Sequence, residues 1–205
     1  MEVFLKIIFT VGLSLGMLAC STVETNNTGL PLMEESEIKQ TIEQFSAHQQ
    51  VYDGLYNAID MTVTMRNSKV IRAQLAQRAR QSQWDRTQFQ LETANAEKKA
   101  KAETEIFLSF FTPDHKNDDL HKGKTAWKVY LEADGHRWEG KVTKLKFTLA
   151  ELKAMYPKHN PFGTPYLISF PVGIESVEDK AAKFTVTGPL GAGVANFTSD
   201  GASPR

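Results

Sequence analysis

The sequence predicts a mainly β domain: a β-sandwich, immunoglobulin-like or similar, with one long inserted helix. Three observations lead there. Seven segments carry strand patterning, as two-residue alternation or short unbroken apolar runs. Turn signals such as Asp134-Gly135 separate consecutive segments. A single helical stretch, long and polar, follows the first of these strands. A two-layer α+β arrangement, with helices on one face of a sheet, is the alternative.

Residues 1–19 come first and belong to no fold. Glu2 and Lys6 offset one another, so the free amino terminus leaves a weakly positive start. Ile7 to Leu18 is uncharged and apolar. Twelve helical residues span only about 18 Å, against ~30 Å of bilayer hydrocarbon. That length fits the core of a signal peptide better than a membrane-spanning helix. Met17-Leu18-Ala19-Cys20 closes the run, and Cys20 is the only cysteine in 205 residues. No internal disulfide can form, so the domain must hold by packing alone.

The Leu-Ala-Cys ending resembles the lipobox of bacterial lipoproteins, in which a small residue precedes a cysteine that is acylated before cleavage. Met17 departs from the leucine usual at its place, and Glu2 is unusual so early in a leader. The resemblance implies lipid on Cys20 and attachment of the chain to a membrane in the bacterial cell envelope. Ser21 follows the cysteine where many inner-membrane lipoproteins carry Asp, and the resemblance therefore implies transport to an outer membrane in a host that has one. Each buried methylene contributes ~0.8 kcal/mol, so two or three acyl chains anchor stably where one binds reversibly.

Ser21 to Met33, rich in Ser, Thr, Asn and Gly, reads as a flexible tether, placing lipidated cysteine and tether at 20–34 and a single domain at 35–198. Glu34 to Gln50 lacks Pro and Gly, and Ile38, Ile42 and Phe45 share one helical face. Leu55 to Arg66 alternates: Leu55, Ile59, Met61, Val63 and Met65 point one way, with Asn57 as a polar interruption. Ser68 then caps the long helix to about Lys101, whose stripe (Ile71, Leu75, Ala79, Ser82, Phe89) is narrow, so the helix lies across a surface or projects from it. Glu105 to Thr112 reads as a central strand. Trp127 to Glu132 and His136 to Phe147 form a hairpin about Asp134-Gly135, and Leu149 to Tyr156 is a short helix stopped by Pro157. Tyr166–Phe170, Lys183–Gly188 and Gly191–Phe197 complete the strands, and 199–205 reads as a tail. The stretch from Phe107 to Phe197 also resembles a group of bacterial lipoproteins with no assigned activity. It shares with them Thr112-Pro113-Asp114, Asn117 to Leu120, Trp127 to Leu131 and Gly188 to Gly191, and the likeness implies only a sandwich.

Charge excludes some functions. With 24 basic and 24 acidic side chains there is no surplus to grip nucleic acid or anionic lipid. No Gly-x-Ser-x-Gly elbow, His-Glu-x-x-His pair or phosphate-binding loop appears, and no cofactor is implied. Gly188, Gly191 and Gly193 precede a strand rather than a helix, so they mark a turn and not a phosphate cradle. The densest polar set is the loop 114–121, where Asp114, Asp118, Asp119 and His121 are candidate ligands for a divalent cation. Lys116 amid them, and spacing unlike any metal motif, favours an ordinary solvated loop instead. Trp127 and Trp138, on opposite arms of the hairpin, read as a core pair or as an aromatic platform for sugar or peptide. Phe162 tips a stiff loop bounded by Pro161 and Pro165 and offers a contact surface. These residues favour a membrane-anchored envelope protein acting as a binding or structural module, with an envelope protein or a wall component as its partner. The alternative is a cell-surface metal-dependent hydrolase built on the 114–121 loop. A third reading makes the long helix an assembly element.

Overall fold

The computed structural model describes residues 29–30 and 32–203. Among them are four α-helices, α1 (Glu35–Gln44), α2 (Ser68–Ser82), α3 (Arg86–Ala102) and α4 (Leu149–Met155). The strands are β1 (Ser46–Asp53), β2 (Tyr56–Met65), β3 (Thr104–Phe111), β4 (Lys128–Ala133), β5 (His136–Glu139), β6 (Lys141–Lys144), β7 (Thr164–Phe170), β8 (Ala182–Gly188), β9 (Gly191–Thr198) and β10 (Gly201–Ser203). One antiparallel sheet runs β1-β2-β3-β7-β6 and the other β10-β9-β8-β4-β5. The fold is mainly β, a sandwich with helices inserted after β2, as the patterning predicts.

Two-residue periodicity explains the main core. Ile59, Met61, Val63 and Met65 of β2 and Ile106, Leu108 and Phe110 of β3 face Leu131, Phe184, Val186 and Phe197 of the opposite sheet. Each such side chain, fully buried, contributes about 1.5–3 kcal/mol. Leu55 departs from the expected face: it sits at the β1–β2 turn, almost wholly exposed. β3 is buried on both faces, because helices cover the outside of its sheet. Ile38 and Ile42 of α1 pack with Phe45 and with Val70, Ala73, Ala76 and Ala79 of α2. Beside them Phe107 stacks on Tyr156, with ring centroids 3.6 Å apart, over Leu152 and Met155 of α4. Helices on one face, the feature of the two-layer alternative, therefore occur here on a sandwich.

Three expected elements are divided. The helix expected to Gln50 ends at Gln44, and β1 follows at once. Ser46 turns the chain: its hydroxyl donates to the Ile42 carbonyl at 2.7 Å and lies 2.7 Å from the Thr64 hydroxyl of β2. The long helix breaks at Gln83, which takes a left-handed backbone (φ 51°). Asp85 then caps a second helix by accepting from the Gln88 N–H at 2.7 Å. Asn67, not Ser68, caps α2. The strand expected from His136 to Phe147 changes sheets at Gly140, so β5 pairs with β4 while β6 pairs with β7. A Cβ at Gly140 would lie 2.5 Å from the Ile168 side chain, and only glycine fits the crossing. Asp134 and Gly135, both with positive φ, form the expected hairpin turn.

At the ends, Leu30 and Leu32, inside the stretch expected to be a tether, are buried against α1 and α2. Gly201–Ser203, inside the expected tail, pairs with β9. Among the described residues no helix is long and apolar enough to cross a membrane.

Candidate functional site

Cys20 lies outside the described residues. The 114–121 loop is spanned by a short 3₁₀ turn, His115–Asn117. Its carboxylates do not converge; each is committed to a different neighbour. Asp114 accepts from the Lys116 N–H at 3.0 Å and so caps the turn. Asp118 accepts from the Tyr166 hydroxyl at 2.7 Å and from the Thr164 hydroxyl, both on β7. Asp119 accepts from the Thr125 hydroxyl at 2.9 Å, and the His121 ring leans on Tyr166. Among the described residues no group of three His, Cys, Asp or Glu side chains is placed to hold a metal ion. The loop is stapled to the sheet: burial, then the Asp118 carboxylate, pushes the Tyr166 phenol well above its ordinary range, so it stays a hydrogen-bond donor.

The two tryptophans form neither a pair nor a platform. Trp127 is only 4% exposed. Its indole N–H donates to the Asn117 carbonyl at 2.7 Å, and its ring meets Phe110 edge-on at 5.1 Å. Trp138 is partly buried against the core and stacks on His136. Of the three candidate aromatics only Phe162, 81% exposed, is presented to solvent.

A second feature carries no sequence motif. A cleft of about 280 Å³ separates α2 and α3 from the outer face of β3 and β7. Its floor is an ion network. Glu105, nearly buried, accepts from the Arg66 guanidinium and, at 2.7 Å, from the Lys99 ammonium. Arg66 also donates to Gln74 at 3.0 Å. Burial works against the Lys99 charge, but the Glu105 and Glu103 carboxylates outweigh it and hold its pKa above the ordinary value. Leu145, Phe147 and Leu167 supply apolar walls. Three residues of α3 spaced along one face, Glu92, Asn95 and Lys99, complete it. The charges on this floor satisfy one another, which makes it a structural brace between β2, β3 and α3.

At the opposite end of β2, a polar network lies on the surface around Asp60. Register puts Gln50 of β1 directly across from Asp60. The Asp60 carboxylate accepts from the Gln50 amide at 2.9 Å and lies 3.2 Å from the His48 imidazole nitrogen. The Asn160 amide reaches it at 3.5 Å from the loop before β7. The Tyr52 hydroxyl donates to Gln50 at 3.0 Å, and the Phe162 N–H donates to the Asn160 side chain at 3.0 Å. Five side chains from two strands and one loop are thus joined, with Phe162 at one margin and Tyr52, 58% exposed, at the other.

The loop carrying Asn160 is fixed from below. Ser109 of β3, fully buried, lies 2.8 Å from His159 Nδ1 and accepts from the Asn160 N–H at 3.2 Å. Burial, with a smaller contribution from the Lys153 ammonium, pushes the His159 pKa down to about 4. The ring is therefore neutral near pH 7, and its Nδ1 and the Ser109 hydroxyl share one hydrogen bond. This serine–histidine contact is closed to solvent, so it holds the loop rather than attacking a substrate. The sequence pattern places residues 48–50 in a helix; the alternation that exposes His48, Gln50 and Tyr52 on one face belongs to the burial of β1 and not to its residue types. Comparison of the chain with protein-family models, with curated proteins and with solved structures finds no match.

Proposed function

We propose that the chain is a lipid-anchored protein of the bacterial cell envelope whose sandwich is a binding module rather than an enzyme. The observation that carries the binding role is the concentration of exposed apolar side chains at one end of the domain. Tyr52, Leu55 and Tyr56 crown the β1–β2 hairpin, and Phe162 tips the loop that bonds to Asp60 beside it. Isolated apolar side chains are ordinary on a surface, but large ones gathered at one end mark contact sites. The anchoring half of the reading rests on the sequence: a short apolar leader, Ala19, and a single cysteine. An outer membrane is the destination implied by Ser21. A neutral domain has no polybasic means of holding a bilayer, so attachment falls to Cys20.

Fractionation of the native host, with intact-mass analysis of the protein, tests both halves. Wild type is expected in the membrane fraction with a mature amino terminus at Cys20 carrying fatty acyl mass. Cys20→Ser is expected in the soluble fraction and fails to bind anionic vesicles even at low salt. A purified protein starting at Met1, or bearing an unmodified thiol, overturns the anchor. The binding role is read by cosedimentation of the Cys20→Ser chain with purified envelope material. It fails if Tyr52→Ala and Phe162→Ala together leave cosedimentation unchanged.

A further inference from the structure

We propose that the surface formed by Tyr52, Gln50, His48, Asp60, Asn160 and Phe162 binds uncharged pyranose units of an envelope glycan; this rests on the binding-module reading above and names its ligand.

The chemistry of the unspent groups selects a polyhydroxylated partner. Each primary amide carries two N–H donors, and Gln50 and Asn160 each give one to Asp60. A second N–H remains on each. The Tyr52 oxygen, having donated to Gln50, keeps lone pairs, and the His48 ring has a second nitrogen beside the one facing Asp60. Donors and acceptors therefore alternate across a short span. A sugar hydroxyl is both donor and acceptor, so a row of hydroxyls can satisfy such an array where a purely anionic group cannot.

Two rings border the array, and the C–H face of a pyranose is apolar enough to lie on a phenol or phenyl ring. The charge on this surface points the same way. Its fixed charge is the Asp60 carboxylate, which repels phosphate, sulfate and uronate groups. The lysines of the adjoining segment are turned elsewhere: Lys158 donates to the Glu43 and Ser46 carbonyls, and Lys153 to those of Pro157 and His159. The array is also held ready. Gln50 and Asp60 are opposed by strand register, and Asn160 is pinned through Ser109, so little side-chain freedom is left to lose on binding.

The test titrates the full chain, held in a polyoxyethylene detergent, with cellotetraose, chitotetraose and maltotetraose in turn, following the side-chain amide resonances of Gln50 and Asn160. At least one sugar is expected to give saturable shifts of these resonances, with millimolar or tighter affinity. Tyr52→Ala and Phe162→Ala are each expected to weaken that binding roughly tenfold, which is about 1.4 kcal/mol. Phe147→Ala, an exposed ring in the wall of the cleft beside α2 and α3, is expected to leave it unchanged. A dispersed amide spectrum for each variant shows that its fold is intact. Saturation by none of the three sugars, or binding that survives both ring truncations, overturns the assignment. If envelope cosedimentation needs Tyr52 and Phe162 while no sugar binds, the glycan is wrong and the module stands. If cosedimentation ignores both rings, the module fails on its own terms.

Discussion

His159 shows how one buried side chain gives the domain a measurable dependence on acidity. Its folded-state pKa, down near 4, lies below the ~6.5 of an unfolded histidine. The unfolded chain therefore takes up a proton that the folded chain refuses, so the contribution is whole above about pH 6.5 and is lost as pH falls toward 4. Chemical denaturation between pH 7 and pH 4.5 should show a loss of about 2 kcal/mol from this group, and His159→Gln, uncharged throughout, should flatten that part of the profile. A loss of equal size in the variant would assign the effect to carboxylates instead. The same residue marks the limit of reading single positions from sequence. Phe162 was legible as a presented ring because prolines stiffen its loop. Asp60, Gln50 and Asn160 were not, since each is an ordinary polar residue until strand pairing brings it beside the others. In the Asp and His loop, carboxylates close in sequence go to separate partners: Asp118 to the Thr164 and Tyr166 hydroxyls of β7, Asp119 to the Thr125 hydroxyl, and Asp114 to the turn it caps.

Among the elements, strands with one clean apolar face were legible almost to the residue, as β2, β8 and β9 show. β1 was hidden because its polar alternate positions and the helix before it share a stretch free of Pro and Gly. The break between α2 and α3 was hidden because glutamine adopts the left-handed turn where glycine would have announced it. The split at Gly140 was written in the sequence, but a lone glycine within a strand pattern also fits a bulge. Here its role is steric, and that can be checked. Gly140→Ala places a methyl against Ile168 and Phe170 in the core and should cost about 1–3 kcal/mol by urea denaturation, with the slope of the transition unchanged. A neutral substitution would mean that the two sheets yield easily at this corner.

For the molecule as a whole, the sandwich and the helical layer differ in how they are held. Both sheets share one core, whereas α3, seventeen residues long, buries none of its side chains. It is fastened near its ends. Phe89 and the preceding Trp84 lean on the helical cluster at one end, and at the other Lys99 bonds to Glu105 while the Lys101 carbonyl sits against Gly173. A helix attached in this way has little apolar burial opposing its opening, and such segments lie at the low end of a protein's spread of local stabilities. Amide hydrogens in the middle of α3 should exchange with deuterium long before those of β2 and β3, and raised salt should hasten them by loosening the Lys99 clasp; uniform protection would contradict this. The domain then has a fast part and a slow part: a pinned strap of helix that can slacken and refasten repeatedly within the lifetime of a single folded sandwich.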